Sequence, residues 1–258
     1  MSETTTMRSF KQRLHAGETA YGFWHMTAST IVAEILAQAG YDCCVIDMEH
    51  AAGSYLDALT SMQAMSATGC QPIVRVPCCS RVEIKRALDA GAAGVMVPSV
   101  STLEEAEEAA RSCRYPASGV RGMAPTVVRA ANYGRDWQGY IARADAEVLC
   151  VCQIETVEAV ENADAIAAVE GLDMLFVGPM DLSGAMGHVG QPDHPDVAAA
   201  MQKVFAAARR AGKLMGTIPS QTNPSRALAK AGYDIIVADA DILLLRNGAE
   251  ASIAAFRA

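Results

Sequence analysis

The chain has 258 residues, 51% hydrophobic but only 5% aromatic, so its core must be built from aliphatic side chains, Ala and Met. A formal charge of −8 and a pI of about 5.1 give an acidic surface. Such a surface repels phosphate backbones and anionic lipid, which argues against nucleic acid and membrane partners.

No apolar run reaches the roughly 18 residues needed to span a bilayer. Residues 1–11 are polar and lack the apolar segment of a secretory signal, so a cytoplasmic location is expected. The eight cysteines include no C-x-x-C pair, which leaves them as reduced, structural thiols rather than a zinc or redox motif.

In chain order, short apolar runs predict strands at 21–26, 43–48, 72–76, 93–98, 148–154, 173–178, 214–218 and 234–238. They are nearly continuous in apolar residues, as parallel strands buried on both faces require. Helical patterns follow at 28–39, 54–68, 80–90, 102–111, 156–169, 196–211, 223–231 and 241–256. Ser101-Thr102 before Glu104-Glu105, and Thr156 before Glu158, read as helix starts; Gly40, Gly91, Gly171, Gly212 and Gly232 read as helix ends. Eight strand–helix repeats without a dinucleotide glycine motif predict an α/β fold, a (β/α)8 TIM barrel, as a single domain over 1–258. Residues 112–147 interrupt the repeat with Pro116, Pro125 and five Arg. Such a stretch is expected to be irregular, serving as a lid or a subunit contact.

Barrel enzymes work at the C-terminal ends of their strands. There the sequence places Asp47, Glu49 and His50 after the second strand, Arg75 after the third, Gln153 and Glu155 after the fifth, and Gly178 and Asp181 after the sixth. Adjacent strands lie about 4.8 Å apart, so Glu155 and Asp181 can reach one ion. Hard oxygen donors select Mg2+ or Mn2+, with Co2+ as a further choice. A 2-oxo acid could fill two of the remaining positions. The alternative is that Glu155 caps the next helix and Asp181 starts a turn.

His50 follows two acids, either of which could orient its imidazole. His25, at the end of the first strand, could face the pocket; His188 and His194 lie in the loop GHVGQPDHP. A buried Arg75 needs an anion, either a substrate carboxylate or enolate, or a structural partner in Asp47 or Glu49. The five lysines sit in helical or N-terminal stretches or, for Lys213, before a strand, which disfavours imine chemistry. The loops PSQTN and DAD lack a Gly-rich phosphate cradle.

The segments GFWHM, IDMEHA, PIVRVP, IKRALDAGAAGVMVP, ARSCRYPASGVRG, QIET and GPMDLSGAMGHVGQPDHP resemble the HpcH/HpaI family of metal-dependent pyruvate aldolases, from about Gly22 to the C-terminus. That resemblance implies a phosphoenolpyruvate/pyruvate-type barrel acting as a class II aldolase. It would cleave a 4-hydroxy-2-oxo acid to pyruvate and an aldehyde. Glu155 and Asp181 would hold the divalent metal, and Arg75 would bind the pyruvyl group. His50, paired with Asp47, would be the acid–base group. Asp89 would order a water from a neighbouring subunit. Gly178, Pro179, Trp24 and Arg121 would join Arg75 around the substrate. The resemblance also implies a homo-oligomer, a hexamer arranged as a trimer of dimers.

The chain departs from the family's usual forms at His25, at VPCCSR after Arg75 and over residues 123–136, all expected to touch the aldehyde half. Other readings are a related lyase or synthase, CoA-ester-cleaving or citrate-forming, and a non-catalytic barrel that binds a 2-oxo acid.

Overall fold

The computed structural model describes residues 8–257. Eight parallel strands close into a barrel in sequence order. They are β1 (Ala20–His25), β2 (Cys43–Asp47), β3 (Gln71–Arg75), β4 (Gly94–Val97), β5 (Leu149–Ile154), β6 (Met174–Val177), β7 (Leu214–Thr217) and β8 (Ile235–Ala240). The helices are α1 (Phe10–His15), α2 (Thr30–Gln38), α3 (Tyr55–Ala64), α4 (Arg81–Asp89), α5 (Leu103–Cys113), α6 (Trp137–Glu147), α7 (Val157–Glu161), α8 (Ala163–Ala167), α9 (Pro179–Ala185), α10 (Pro195–Arg210), α11 (Ser225–Ala231) and α12 (Asp241–Arg257). This is the single-domain (β/α)8 barrel that the strand–helix rhythm predicts.

Two hydrophobic layers hold it. One lies inside the barrel, where Val45, Ile73, Met96, Val151, Met174 and Phe176 meet, with Phe10 and Leu14 of α1 in the same cluster. The other fills the space between strands and helices, with Cys44, Ile46, Val74, Val95, Cys150 and Cys152 pointing outward. Successive strand residues face opposite ways, so each strand feeds both layers and needs apolar residues on both faces through its middle.

Local chemistry sets the helix ends. Thr102 and Glu105 form a reciprocal capping box, and the Thr156 side chain accepts from Ala159 N–H. The helix expected over 156–169 breaks at Asn162 into α7 and α8.

The segment 112–147 differs from its expectation. It is not irregular throughout, because Trp137–Glu147 forms α6. It does not lid its own site either. It joins the end of α5 to the start of β5, so it lies at the opposite end of the barrel from the strand C-termini. Tyr115, Ala131, Tyr140 and Ala144 give it a small core of its own.

No helix among the described residues is long and apolar enough to cross a membrane.

Candidate active site

The interior face of each strand continues upward to the rim. Val45, Ile73 and Val151 point into the barrel, so Asp47, Arg75, Gln153 and Glu155 point the same way one or two pleats later. Asp47 and Arg75 are paired positions on β2 and β3. Arg75 Nε and Nη2 donate to the two Asp47 oxygens at 2.9 and 2.7 Å. Its Nη1 lies 3.1 Å from Glu49. The guanidinium carbon sits 4.4 Å from the centroid of the Trp24 ring. Trp24 in turn meets Phe176 edge-on at 6.1 Å. Arg75 is thus fixed at the floor of the rim, held to acids on one side and an aromatic face beneath.

Glu155 is buried at 6% exposure. Its Oε1 accepts from Ser99 N–H at 2.7 Å and from Ser99 Oγ at 3.0 Å, and its Oε2 from Gln153 Nε2 at 3.0 Å. Ser99 reaches it from a left-handed backbone conformation, φ 53°. Non-glycine residues held there cost of order 1 kcal/mol and cluster at functional sites. Gly178 follows the inward-facing Phe176 and caps α9. A Cβ there would lie 2.8 Å from Glu155 Oε2 and 3.7 Å from Asp181 Oδ2. The missing side chain leaves room for two carboxylates to converge on one spot.

Burial pushes the Glu155 carboxyl up; the Ser99 donors and Arg75 oppose the rise and the charge of Asp181 adds to it. Gln153 Oε1, in the same wall, is buried without a donor. Two converging carboxylates and an orphaned acceptor fit a hard cation.

The pairing expected between His50 and Asp47 takes another form. Asp47 Oδ1 accepts the backbone N–H of His50 at 3.4 Å, while its side chain is committed to Arg75. The imidazole is 57% exposed, and its Nε2 stands 3.9 Å from Glu49 Oε2. Glu49, not Asp47, is therefore the acid beside it.

His25 does not face the pocket. Its neighbour Trp24 takes the interior face, so His25 turns outward. There its Nδ1 meets Asp241 Oδ2 at 2.9 Å and its Nε2 meets Ser61 Oγ at 3.0 Å.

Asp89 and Arg121 are brought to each other, 2.8 Å apart, but not to this rim. Asp89 ends α4 at the far end of the barrel. Arg121 is 2% exposed and stacks on Tyr115 and Tyr140. Lys213 also lies at the far end, its Nζ 2.7 Å from Leu172 O.

Beside Asp181 a cavity of about 740 Å3 opens, walled by Pro179, Met180, Asp193, His194, Ile218 and Ser220. Asp193 ties its two loops together by accepting from Ser220 and Thr222.

Two residues that the sequence reading left out belong to this picture. Ser99 stands just past β4, in the stretch Val97-Pro98-Ser99-Val100, where no charged residue marks the rim. Asp241, the last residue of DAD, opens α12 just past β8 and anchors His25 from outside the barrel.

The sequence pattern of the HpcH/HpaI aldolase/citrate lyase family matches residues 20–248. The chain belongs to the HpcH/HpaI aldolase/citrate lyase family. Like its relatives, this family member is a carbon–carbon lyase. It is 38% identical to the 4-hydroxy-2-oxo-heptane-1,7-dioate aldolase of Escherichia coli over 97% of this chain and 95% of that one. A solved HpcH/HpaI family protein from Burkholderia cenocepacia superposes with a TM-score of 0.92 at 39% identity, covering 98% of this chain and all of that one. A solved citrate synthase superposes with a TM-score of 0.87 at 30% identity, over 96% of this chain and 97% of that one.

Proposed function

We propose that this lyase is a metal-dependent pyruvate aldolase that reversibly cleaves a 4-hydroxy-2-oxo acid into pyruvate and an aldehyde. The observation that carries the reading is the convergence of Glu155 and Asp181 beside side-chain-free Gly178, with the guanidinium of Arg75 close enough to act on the charge of Glu155. Glu155 and Asp181 hold the divalent cation, Mg2+, Mn2+ or Co2+, and when bound it supplies Lewis-acid polarisation of the 2-oxo group.

The protein's own groups do the rest. The backbone at Gly178 receives the pyruvyl carboxylate beside the Pro179 ring, and Trp24 closes the floor. His50 takes the proton of the C4 hydroxyl. The pair left by the O–H bond forms the aldehyde C4=O as the C3–C4 pair becomes the C2–C3 double bond and the C2 carbonyl pair moves onto its oxygen as the enolate. Arg75, already held rigidly by Asp47, faces the enolate charge without reorganising. Proton return to C3 gives the pyruvate methyl group. Glu49, beside the imidazole, orients it. The cavity beside Asp181 has room for the aldehyde half.

Asp89 enters this scheme only from a neighbouring subunit, where it would order a water. Arg121 would then act by fixing Asp89. A homo-oligomer, a hexamer built as a trimer of dimers, is consistent with the apolar side chains left exposed on α12, Leu245 at 63% and Phe256 at 85% among them.

A citrate-forming synthase is the second reading, favoured by the likeness to a solved citrate synthase. It would join a two-carbon acetyl enolate, in place of the pyruvate enolate, to the keto carbon of oxaloacetate. Products decide between them. Incubation with a panel of 4-hydroxy-2-oxo acids, coupled to lactate dehydrogenase, reads pyruvate directly. Pyruvate release supports the aldolase. Its absence across the panel, with citrate formed from oxaloacetate and an enolate donor, supports the synthase.

A further inference from the structure

Away from the rim carboxylates, the loop between α9 and α10 and the first turn of α10 carry a second set of donors. His188, His194 and Asp196 present ligand atoms that all lie within 4.8 Å of one another. The two imidazoles stack with centroids 3.5 Å apart and planes 14° from parallel. His188 Nε2 lies 3.1 Å from Asp196 Oδ2, and His194 Nδ1 lies 3.6 Å from the same oxygen. One carboxylate oxygen therefore faces two ring nitrogens.

The backbone fixes each donor. His188 N–H donates to Ser183 O at 2.7 Å, between turns at Gly187 and Gly190 that both take left-handed φ. His194 is the N-cap of α10, its Nδ1 accepting Asp196 N–H at 3.2 Å. Asp196 sits in the first helical turn. Its charge offsets the positive helix end, which would otherwise work against a cation.

Distance and donor chemistry both speak to a ligand. Zinc–nitrogen and zinc–oxygen bonds are about 2.0–2.2 Å, so two donors on a tetrahedral ion stand about 3.4 Å apart. The observed 3.1 and 3.6 Å bracket that spacing. Two imidazoles and a carboxylate select borderline ions such as Zn2+, Ni2+ or Cu2+, whereas the all-oxygen pair Glu155 and Asp181 suits Mg2+ or Mn2+. A single proton bridges only one of the two nitrogen–oxygen contacts; a cation meets all three donors.

We propose that His188, His194 and Asp196 form a second metal site, separate from the rim pair and selective for Zn2+-class ions. Binding tilts the rings out of their stack, so that their lone pairs meet at the ion. It also takes His194 Nδ1 from its long bond with Asp196 N–H. His194 lines the cavity beside α9, so an ion here stiffens that wall.

The test is calorimetric titration of the full chain with Zn2+ in millimolar Mg2+, which fills the rim site. One Zn2+ per chain is expected. His188→Leu weakens it at least tenfold. Glu155→Gln leaves this Zn2+ affinity within twofold, which separates the site from the aldolase reading. Bound Cu2+ shows nitrogen hyperfine splitting from two imidazoles, reduced to one in His188→Leu. No Zn2+ uptake beside Mg2+, or equal affinity in the parent and His188→Leu, overturns the proposal.

Discussion

Asp47 grips Arg75 with both carboxylate oxygens, at 2.9 and 2.7 Å, from the paired position on the neighbouring strand. Burial works against the Asp47 charge, but the Arg75 hydrogen bonds and charge, with two backbone N–H groups, hold its carboxyl below the usual range. A carboxyl lowered in this way contributes stability above its unfolded value of about 3.9, and that stability is lost as pH falls through the folded value. Asp47→Asn keeps the shape and removes the charge. It should lower kcat/KM for pyruvate release ~10–100-fold, because Arg75 is no longer held for the enolate. Metal affinity, titrated separately, should stay within about twofold, since Asp47 is not a ligand in this account.

Glu155 behaves in the opposite sense. Burial raises its carboxyl, and the charge of Asp181 adds to this against Ser99 and Arg75. A raised carboxyl binds its proton more readily folded than unfolded. Without metal, stability from this group is therefore present at low pH and is lost as pH rises through the folded value. In EDTA at pH 7.5, Glu155→Gln should melt about 2 °C higher than the parent, as roughly 1 kcal/mol or less does in a domain of this size. Adding Mg2+ should raise the parent's Tm and leave the variant's where it was. A variant that melts lower than the metal-free parent would show that Glu155 is not a frustrated charge.

Much of this was legible in the sequence. Glu155 and Asp181 stood out because each follows an apolar run at the end where barrels do chemistry. The phase of β1 did not, because GFWH is apolar on both faces and gives no alternation to read; only the assembled barrel shows Trp24 inside and His25 outside. α6 does not stand out because Gly139 sits in its first turn and the segment before it is broken by Pro116, Pro125, Gly119, Gly122 and Gly134. The burial of Arg121 could not be read at all, since Tyr140 lies 19 positions away and reaches it only through the fold.

His50→Ala tests the proton transfer. The imidazole is exposed and makes no contact with Glu155 or Asp181 within hydrogen-bond distance among the described residues. Turnover should fall on the order of 10²-fold or more, while the metal titration is unchanged. Stopped-assay pyruvate detection and calorimetry report the two separately. Parent-like turnover would remove His50 from the proposed chemistry.

His25→Ala tests the opposite assignment, a structural histidine. Burial works against the charge of Asp241, yet the His25 imidazole, the Thr27 hydroxyl and two backbone N–H groups hold its carboxyl well below the usual range. Its contribution to stability is present above about pH 3.9 and is lost as pH falls further. Removing the imidazole should destabilise the fold by ~2–3 kcal/mol in urea unfolding at pH 7. kcat for pyruvate release at 15 °C should stay within about threefold, because the ring lies outside the barrel interior.

The central claim is that Glu155 and Asp181 share one divalent ion without which no pyruvate is made. The direct measurement is pyruvate release from a 4-hydroxy-2-oxo acid, before and after exhaustive EDTA treatment, with Mg2+, Mn2+ or Co2+ then restored. The account predicts loss with EDTA, recovery with each ion, and no recovery in Asp181→Asn. Full activity in a rigorously metal-free sample would contradict it.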